Sequence, residues 1–174
     1  MTRRGRVIFI ATTFFLSGCE INASGDAPKP TPLIANLVSY SSRADVEKKM
    51  PEGTRTTVIA DAGLKKGDAR PPFSILKLRV NGFAYCDQVG DLELEFFNDR
   101  LHRAWYFPKD VQACIKRMGS AFIEKGNTKI EVRQHDFTKQ FYLLWWDKRL
   151  SDEEHKWIER YSWRNRNGIG GRLS

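Results

Sequence analysis

The stretch that most limits the fold lies between residues 73 and 107, where apolar residues recur at every second position and turn-forming residues fall at short intervals. Leu92, Leu94 and Phe96 alternate with Glu93 and Glu95. In an extended strand that spacing puts the three apolar side chains on one face and the two carboxylates on the other, wet, face. Residues 54–60 are β-branched and read as a strand, residues 62–72 form a loop with two Gly and a double proline, and residues 73–80 and 101–107 are further strands. Asn81-Gly82 follows residues 73–80 directly. That dipeptide accepts positive φ at both central positions of a two-residue turn, so a hairpin is expected there. Further turns are expected near Gly90-Asp91 and at Asn98-Asp99, which closes an antiparallel meander.

Helical signals flank the meander. Ser42 with Asp45 three residues on starts a short helix that Pro51 and Gly53 stop. Asp110 caps a helix whose Val111, Cys114, Ile115 and Met118 form an apolar stripe, ended by Gly119. A second hairpin is expected from residues 129–133 and 140–146, joined through His135, and Ser151 with Glu154 predicts a capping box for a last helix over residues 152–163. This order predicts an α+β fold, an antiparallel β-meander with helices packed on one face. The expected core is Val46, Met50, Ile75, Leu78, Leu92, Leu94, Phe96, Val111, Ile115, Met118, Leu143 and Ile158. With 174 residues, 41% of them hydrophobic, the chain is large enough for one domain with a real core.

The N-terminus speaks to location. Arg3, Arg4 and Arg6 precede an uncharged apolar run over residues 7–16, too short for a bilayer core that needs about 20 helical residues, and suited to a signal-peptide h-region. Leu16-Ser17-Gly18-Cys19 then resembles the lipobox of bacterial lipoproteins. The resemblance implies cleavage after Gly18, lipidation of Cys19 and, with Glu20 rather than Asp next, sorting to the outer membrane facing the periplasm. Pro28, Pro30 and Pro32 alternate and read as a semi-rigid tether. The expected organisation is a signal peptide over residues 1–18, a lipidated Cys and tether over 19–32, a single domain over 33–163 and a basic disordered tail over 164–174. Loss of residues 1–18 lowers the formal charge from +8 by three Arg to +5. For an exported protein this excludes nucleic acid as a partner and leaves anionic lipid, cell-wall polymer or an acidic protein face. Cys86 and Cys114 then remain in a compartment that permits disulfides, and a bridge between them is expected, with two separately buried thiols as the alternative.

Catalytic signals are weak. His102, His135 and His155 lack metal-ligand spacing and read as solvent-facing or cap-adjacent, no nucleophile elbow or phosphate loop occurs, and no cofactor is implied. The aromatic runs are more informative. Trp105-Tyr106-Phe107 and Trp145-Trp146 must send rings to both faces of their strands, so Trp105 and Trp146 are candidate binding anchors, with Arg160, Trp163, Arg164 and Arg166 as a basic, aromatic extension.

The short helix ending in Pro51-Glu52-Gly53, followed by a meander carrying residues 90–101, GDLELEFFNDRL, resembles the SmpA/BamE-like group and the wider BLIP-like fold. The resemblance implies a non-enzymatic binding module of the cell envelope, accessory to outer-membrane assembly, with a lipid anchor and a protein partner. An inhibitor or immunity-type lipoprotein that binds an exported enzyme is the second reading, and an envelope hydrolase the third. The anchor is directly testable: Cys19→Ser should leave an unprocessed precursor without palmitate labelling, whereas normal processing and membrane retention of that variant would refute it.

Overall fold

A computed structural model describes residues 28–162; the signal segment, Cys19, Trp163, Arg164, Arg166 and the rest of the tail lie outside the described residues. The elements are α1 (Arg43–Lys49), β1 (Thr56–Gly63), β2 (Ser74–Tyr85), β3 (Gln88–Phe97), β4 (Arg100–Phe107), α2 (Val111–Met118), a 3-10 turn (Gly119–Ala121), β5 (Thr128–Gln134), β6 (Phe141–Asp147) and α3 (Lys148–Tyr161). All strand pairs are antiparallel, in the order β1-β2-β3-β4-β6-β5. The α+β class and the meander are as expected. Among the described residues no helix is long and apolar enough to cross a membrane.

The hairpin at Asn81-Gly82 is not formed. β2 runs through these residues and turns at Cys86-Asp87, both with positive φ, while Gly82 sits at φ +71° in a bulge between Val80 and Phe83. The longer hairpin has a packing reason. It carries Phe83 and Tyr85 over Tyr106, with ring centroids 6.2 and 5.6 Å apart, and the Tyr106 hydroxyl lies 3.0–3.4 Å from the carbonyls of Phe83, Tyr85 and Gln88. These contacts favour extension over the local turn preference. Gly90-Asp91 is likewise inside β3 rather than a turn. A Cβ at Gly90 would stand 2.3 Å from the Phe107 carbonyl oxygen, so glycine is needed there for close strand approach. Asn98 and Asp99, with φ +49° and +55°, make the expected tight turn.

The core lies on one face of the sheet, where Leu78, Val80, Leu92, Leu94, Phe96, Leu101, Ala104, Tyr106, Leu143 and Trp145 meet α1 through Val46 and α2 through Val111 and Cys114. Met50, Ile115 and Met118 pack at its margin, Ile75 is only half-buried, and Ile158, expected inside, is 38% exposed on α3. Cys86 at the hairpin tip and Cys114 on α2 form a disulfide with Cα atoms 5.2 Å apart, 28 residues apart in sequence. Closing a loop of this size is worth about 3–4 kcal/mol in the chain-entropy account.

Two boundaries differ from expectation. Packed chain is already present at Thr31, which is buried, and Pro32 bridges to Val38; residues Leu33, Ile34 and Leu37 enter the core. The last helix starts at Lys148 because Asp147 accepts hydrogen bonds from the amides of Arg149 and Leu150, leaving Ser151 buried inside the first turns instead of capping them. Moreover, α3 sits on the face opposite the core. Its Glu154 pairs with Arg103, the strand neighbour of core residue Ala104. Gly90→Ala should therefore destabilise the protein by about 1–3 kcal/mol in a denaturant midpoint experiment, the usual range for overpacking; a loss near zero would mean that β3 and β4 can separate freely at this end.

Candidate functional site

The second face of the sheet carries the side chains that alternate with the core residues. Cross-strand register sets Arg79, Glu93, Trp105, Leu144 and Glu131 in one row and Lys77, Glu95, Arg103, Trp146 and Lys129 in the next. α3 covers the part of this face near Arg103 and Phe97. The remainder is an open groove of about 400 Å³, floored by Trp105, Phe107 and Tyr142 and rimmed by Lys77, Arg79, Asp91, His135 and Gln140.

Glu93 organises the groove. It was expected on a wet face, yet it is only 7% exposed, with Lys77 Nζ at 2.9 Å and Arg79 Nη2 at 2.5 Å. The same Lys77 ammonium stands 4.0 Å over the Trp105 ring centroid, which adds a cation–π contact to the ion pair. Burial pushes the Glu93 carboxyl up, and the hydrogen bonds and charges of Arg79 and Lys77 outweigh it, leaving the pKa below the usual carboxylate range. The Trp105 ring is thus held by a charged clamp, while Phe107 and Tyr142 stack beside it with centroids 5.2 Å apart.

A second polar cluster lies where α3 meets the sheet. Glu95 Oε1 is 3.0 Å from His102 Nε2 and 2.8 Å from Arg103 Nη1, and Arg103 Nη2 is 2.6 Å from Glu154 Oε2. Ligand atoms of Glu95, His102 and Glu154 all fall within 4.8 Å of one another, a donor set of the kind that binds a divalent cation. The Arg103 guanidinium already bridges the two carboxylates, so it supplies the positive charge a metal would. His102, expected at the surface, is fully buried against Phe97 with ring centroids 6.1 Å apart. Burial raises the Glu95 pKa, and the His102 hydrogen bond with the His102 and Arg103 charges outweighs it, for a net depression.

Trp145 is buried in the core and Trp146 is half-buried on the groove face, as alternation requires, but the row of Leu144 separates Trp146 from the groove; the Arg133 guanidinium lies 5.8 Å from its ring centroid. Arg160 is exposed on α3 and does not join either tryptophan, while Trp163, Arg164 and Arg166 lie outside the described residues. His155 is exposed. His135 Nδ1 accepts the amides of Phe137 and Thr138 and so caps the β5–β6 turn at the groove rim. Phe107, Tyr142, Lys77 and Arg79 were not singled out by the sequence. Their signal was register, since each stands on the same face as Trp105 once the strands are aligned. The chain matches no known protein-family description and no curated protein sequence.

Among the carboxylates with lowered pKa values, Glu93, Glu95 and Asp147 are shielded from solvent and bind protons more weakly in the folded state than in the unfolded chain. Their contribution is therefore present above the unfolded carboxylate pKa of about 4 and is lost as pH falls through the folded values. The melting temperature should hold down to about pH 4.5 and then drop. Asp147→Asn should lower stability at neutral pH by about 2–4 kcal/mol and flatten that acid limb, because it removes a charged acceptor of several buried hydrogen bonds. An unchanged acid limb in this variant would show that Asp147 is not a source of the linkage.

Proposed function

We propose that this protein is a lipid-anchored, non-enzymatic binding module of the cell envelope, held at the outer membrane through Cys19, whose groove around Trp105 receives a protein partner during envelope assembly. The observation that carries the reading is the groove itself: rigid aromatic rings on a sheet floor, fixed by the Lys77–Glu93–Arg79 clamp and left open to solvent where α3 stops. Large, immobilised aromatics surrounded by paired charges contribute contact area with little loss of side-chain entropy on binding, which is the chemistry of interface anchors. Binding rather than catalysis fits the polar groups present. Glu93 is committed to two cations and His135 Nδ1 to two amides, so neither is poised as a general base. The Cys86–Cys114 bridge supports an oxidising compartment.

Placing a photo-crosslinking phenylalanine analogue at Tyr142 in the full, membrane-anchored chain tests this. A discrete adduct with an envelope protein is expected, and Trp105→Ala should reduce it about tenfold, the effect of losing roughly 1.4 kcal/mol at an interface anchor. Adducts with a secreted enzyme alone would favour the inhibitor reading, and the absence of any protein adduct would refute the proposal.

A further inference from the structure

The rim of the groove beside β6 is a turn held by one imidazole. Residues 135–140 join β5 to β6, closed by backbone hydrogen bonds from the His135 amide to the Gln140 carbonyl and from the Lys139 amide to the His135 carbonyl, both 2.9 Å. Inside that frame the Phe137 and Thr138 amides both donate to His135 Nδ1, at 3.3 and 3.2 Å, and neither has another acceptor among the described residues. Packing contributes little, since Phe137 is 92% exposed at the tip, with its ring centroid 6.1 Å from that of His135. The order of this segment therefore rests on local hydrogen bonds, a condition in which a small chemical change opens a loop without unfolding the domain. Thr138 and Gln140, which line the groove, lie on the same segment and are joined by a hydrogen bond from the Gln140 amide to Thr138 Oγ1.

Two amide N–H groups can converge on a ring nitrogen only where it carries a lone pair, so the neutral ring holds its one proton on Nε2. In the imidazolium both nitrogens are donors, and a proton on Nδ1 faces two N–H groups that it cannot accept. We infer that the β5–β6 turn is a proton-operated rim of the groove: protonation of His135 at Nδ1 expels the Phe137 and Thr138 amides and releases the segment that carries Thr138 and Gln140. The consequence for binding rests on the reading of the groove as a partner's seat: a rim ordered near pH 7.5 and loosened near pH 5 holds the partner more weakly in acid, because the turn must then be ordered on binding. The charged groups around the ring do not share the titration. Lys77 and Arg79 of β2 face it across the groove, together with Asp91 and Glu93 of β3 and the Tyr142 phenol of β6, while β4 contributes the uncharged Trp105 and Phe107. On its own hairpin stand Asp136, Lys139 and the ion pair of Arg133 with Glu131. Four cations and four carboxylates leave the surroundings balanced, and among these side-chain types imidazole alone ordinarily changes charge between pH 5 and 8. His102 is buried against Glu95 and His155 is exposed on α3, so of the three histidines His135 borders the groove.

Nuclear magnetic resonance of the full chain in detergent micelles, with labelled nitrogens in the histidine rings, tests the switch. His135 should be the Nε2–H tautomer at pH 7.5 and take up a proton on Nδ1 as the pH is lowered to 5. His135→Asn is the comparison, because its Oδ1 can accept the same two amides, as Asn does in tight turns, and does not titrate. Solvent exchange of the Phe137 and Thr138 amides, read as the ratio of the unsubstituted chain to His135→Asn at the same pH, should be near one at pH 7.5 and about fivefold or more at pH 5, the effect of losing hydrogen bonds of ordinary strength. His135→Ala, without an acceptor, should show the fast exchange at both pH values. Unmoved amide signals from β3 and β4 show that each variant is folded. An Nδ1–H tautomer at pH 7.5, an exchange ratio that does not change with pH, or protected amides in His135→Ala would each overturn the inference. Adduct formation through the Tyr142 analogue is the second measure: its yield should fall about threefold from pH 7.5 to pH 5, and in His135→Asn the ratio of yields at the two pH values should stay near one. Equal yields at both pH values in the chain that keeps His135 overturn the regulation. No adduct at any pH overturns the reading of the groove instead, and the exchange ratio still decides the turn.

Discussion

The buried carboxylate of Asp147 ties together more of the chain than any other single group. One oxygen caps α3 through the amides of Arg149 and Leu150, and the other accepts the Ser39 hydroxyl at 2.7 Å, the Thr31 hydroxyl at 3.0 Å and the Arg149 guanidinium at 2.9 Å. Asp147 also ends β6, opposite Thr128 at the start of β5. Residues 31–39, the two C-terminal strands and the last helix therefore converge on one charge that is fully shielded from water. A carboxylate in that position is tolerated because every partner is a hydrogen-bond donor and one is a cation; removing the donors would leave an uncompensated buried charge.

The sheet then divides the work between its faces. One face is apolar and is closed by α1, α2 and residues 33–37, with the Cys86–Cys114 bridge holding the tip of the β2–β3 hairpin to α2. The other is polar and aromatic, and α3 covers only part of it. There, cations from β2 and β4 meet carboxylates from β3 directly across the ladder, so Glu93 and Glu95 are buried as ion pairs rather than hydrated. Those pairs immobilise Trp105 and Arg103, and by doing so they shape the open groove that the proposed binding role requires.

Local chemistry makes much of the secondary structure legible in the sequence. Ser42 and Asp110 cap their helices, Asn98-Asp99 makes its turn, the 92–96 alternation sorts its side chains, and Tyr106 and Trp145 face inward while Trp105 and Trp146 face outward. The misreadings arose where a local preference met a tertiary contact. Asn81-Gly82 is a good turn, but packing of Phe83 and Tyr85 on Tyr106 favours carrying the strand on; Gly90 looks like a turn glycine but exists for the approach of Phe107. Ser151-Glu154 has capping-box spacing, and Asp147 reaches the free amides one turn earlier.

By itself the sequence determined the class of fold, the approximate place of the helices and of most strands, the alternation of faces along residues 92–96, and the expectation of a lipid anchor, because periodicity, capping and turn chemistry act within a few residues. Only the tertiary structure decided the pairing of Cys86 with Cys114, the burial of His102, Glu93 and Asp147, and the gathering of Lys77, Arg79, Trp105 and Tyr142 around one groove. Those outcomes depend on which strands lie side by side and in what register, and cross-strand register is a property of packed neighbours rather than of any segment alone.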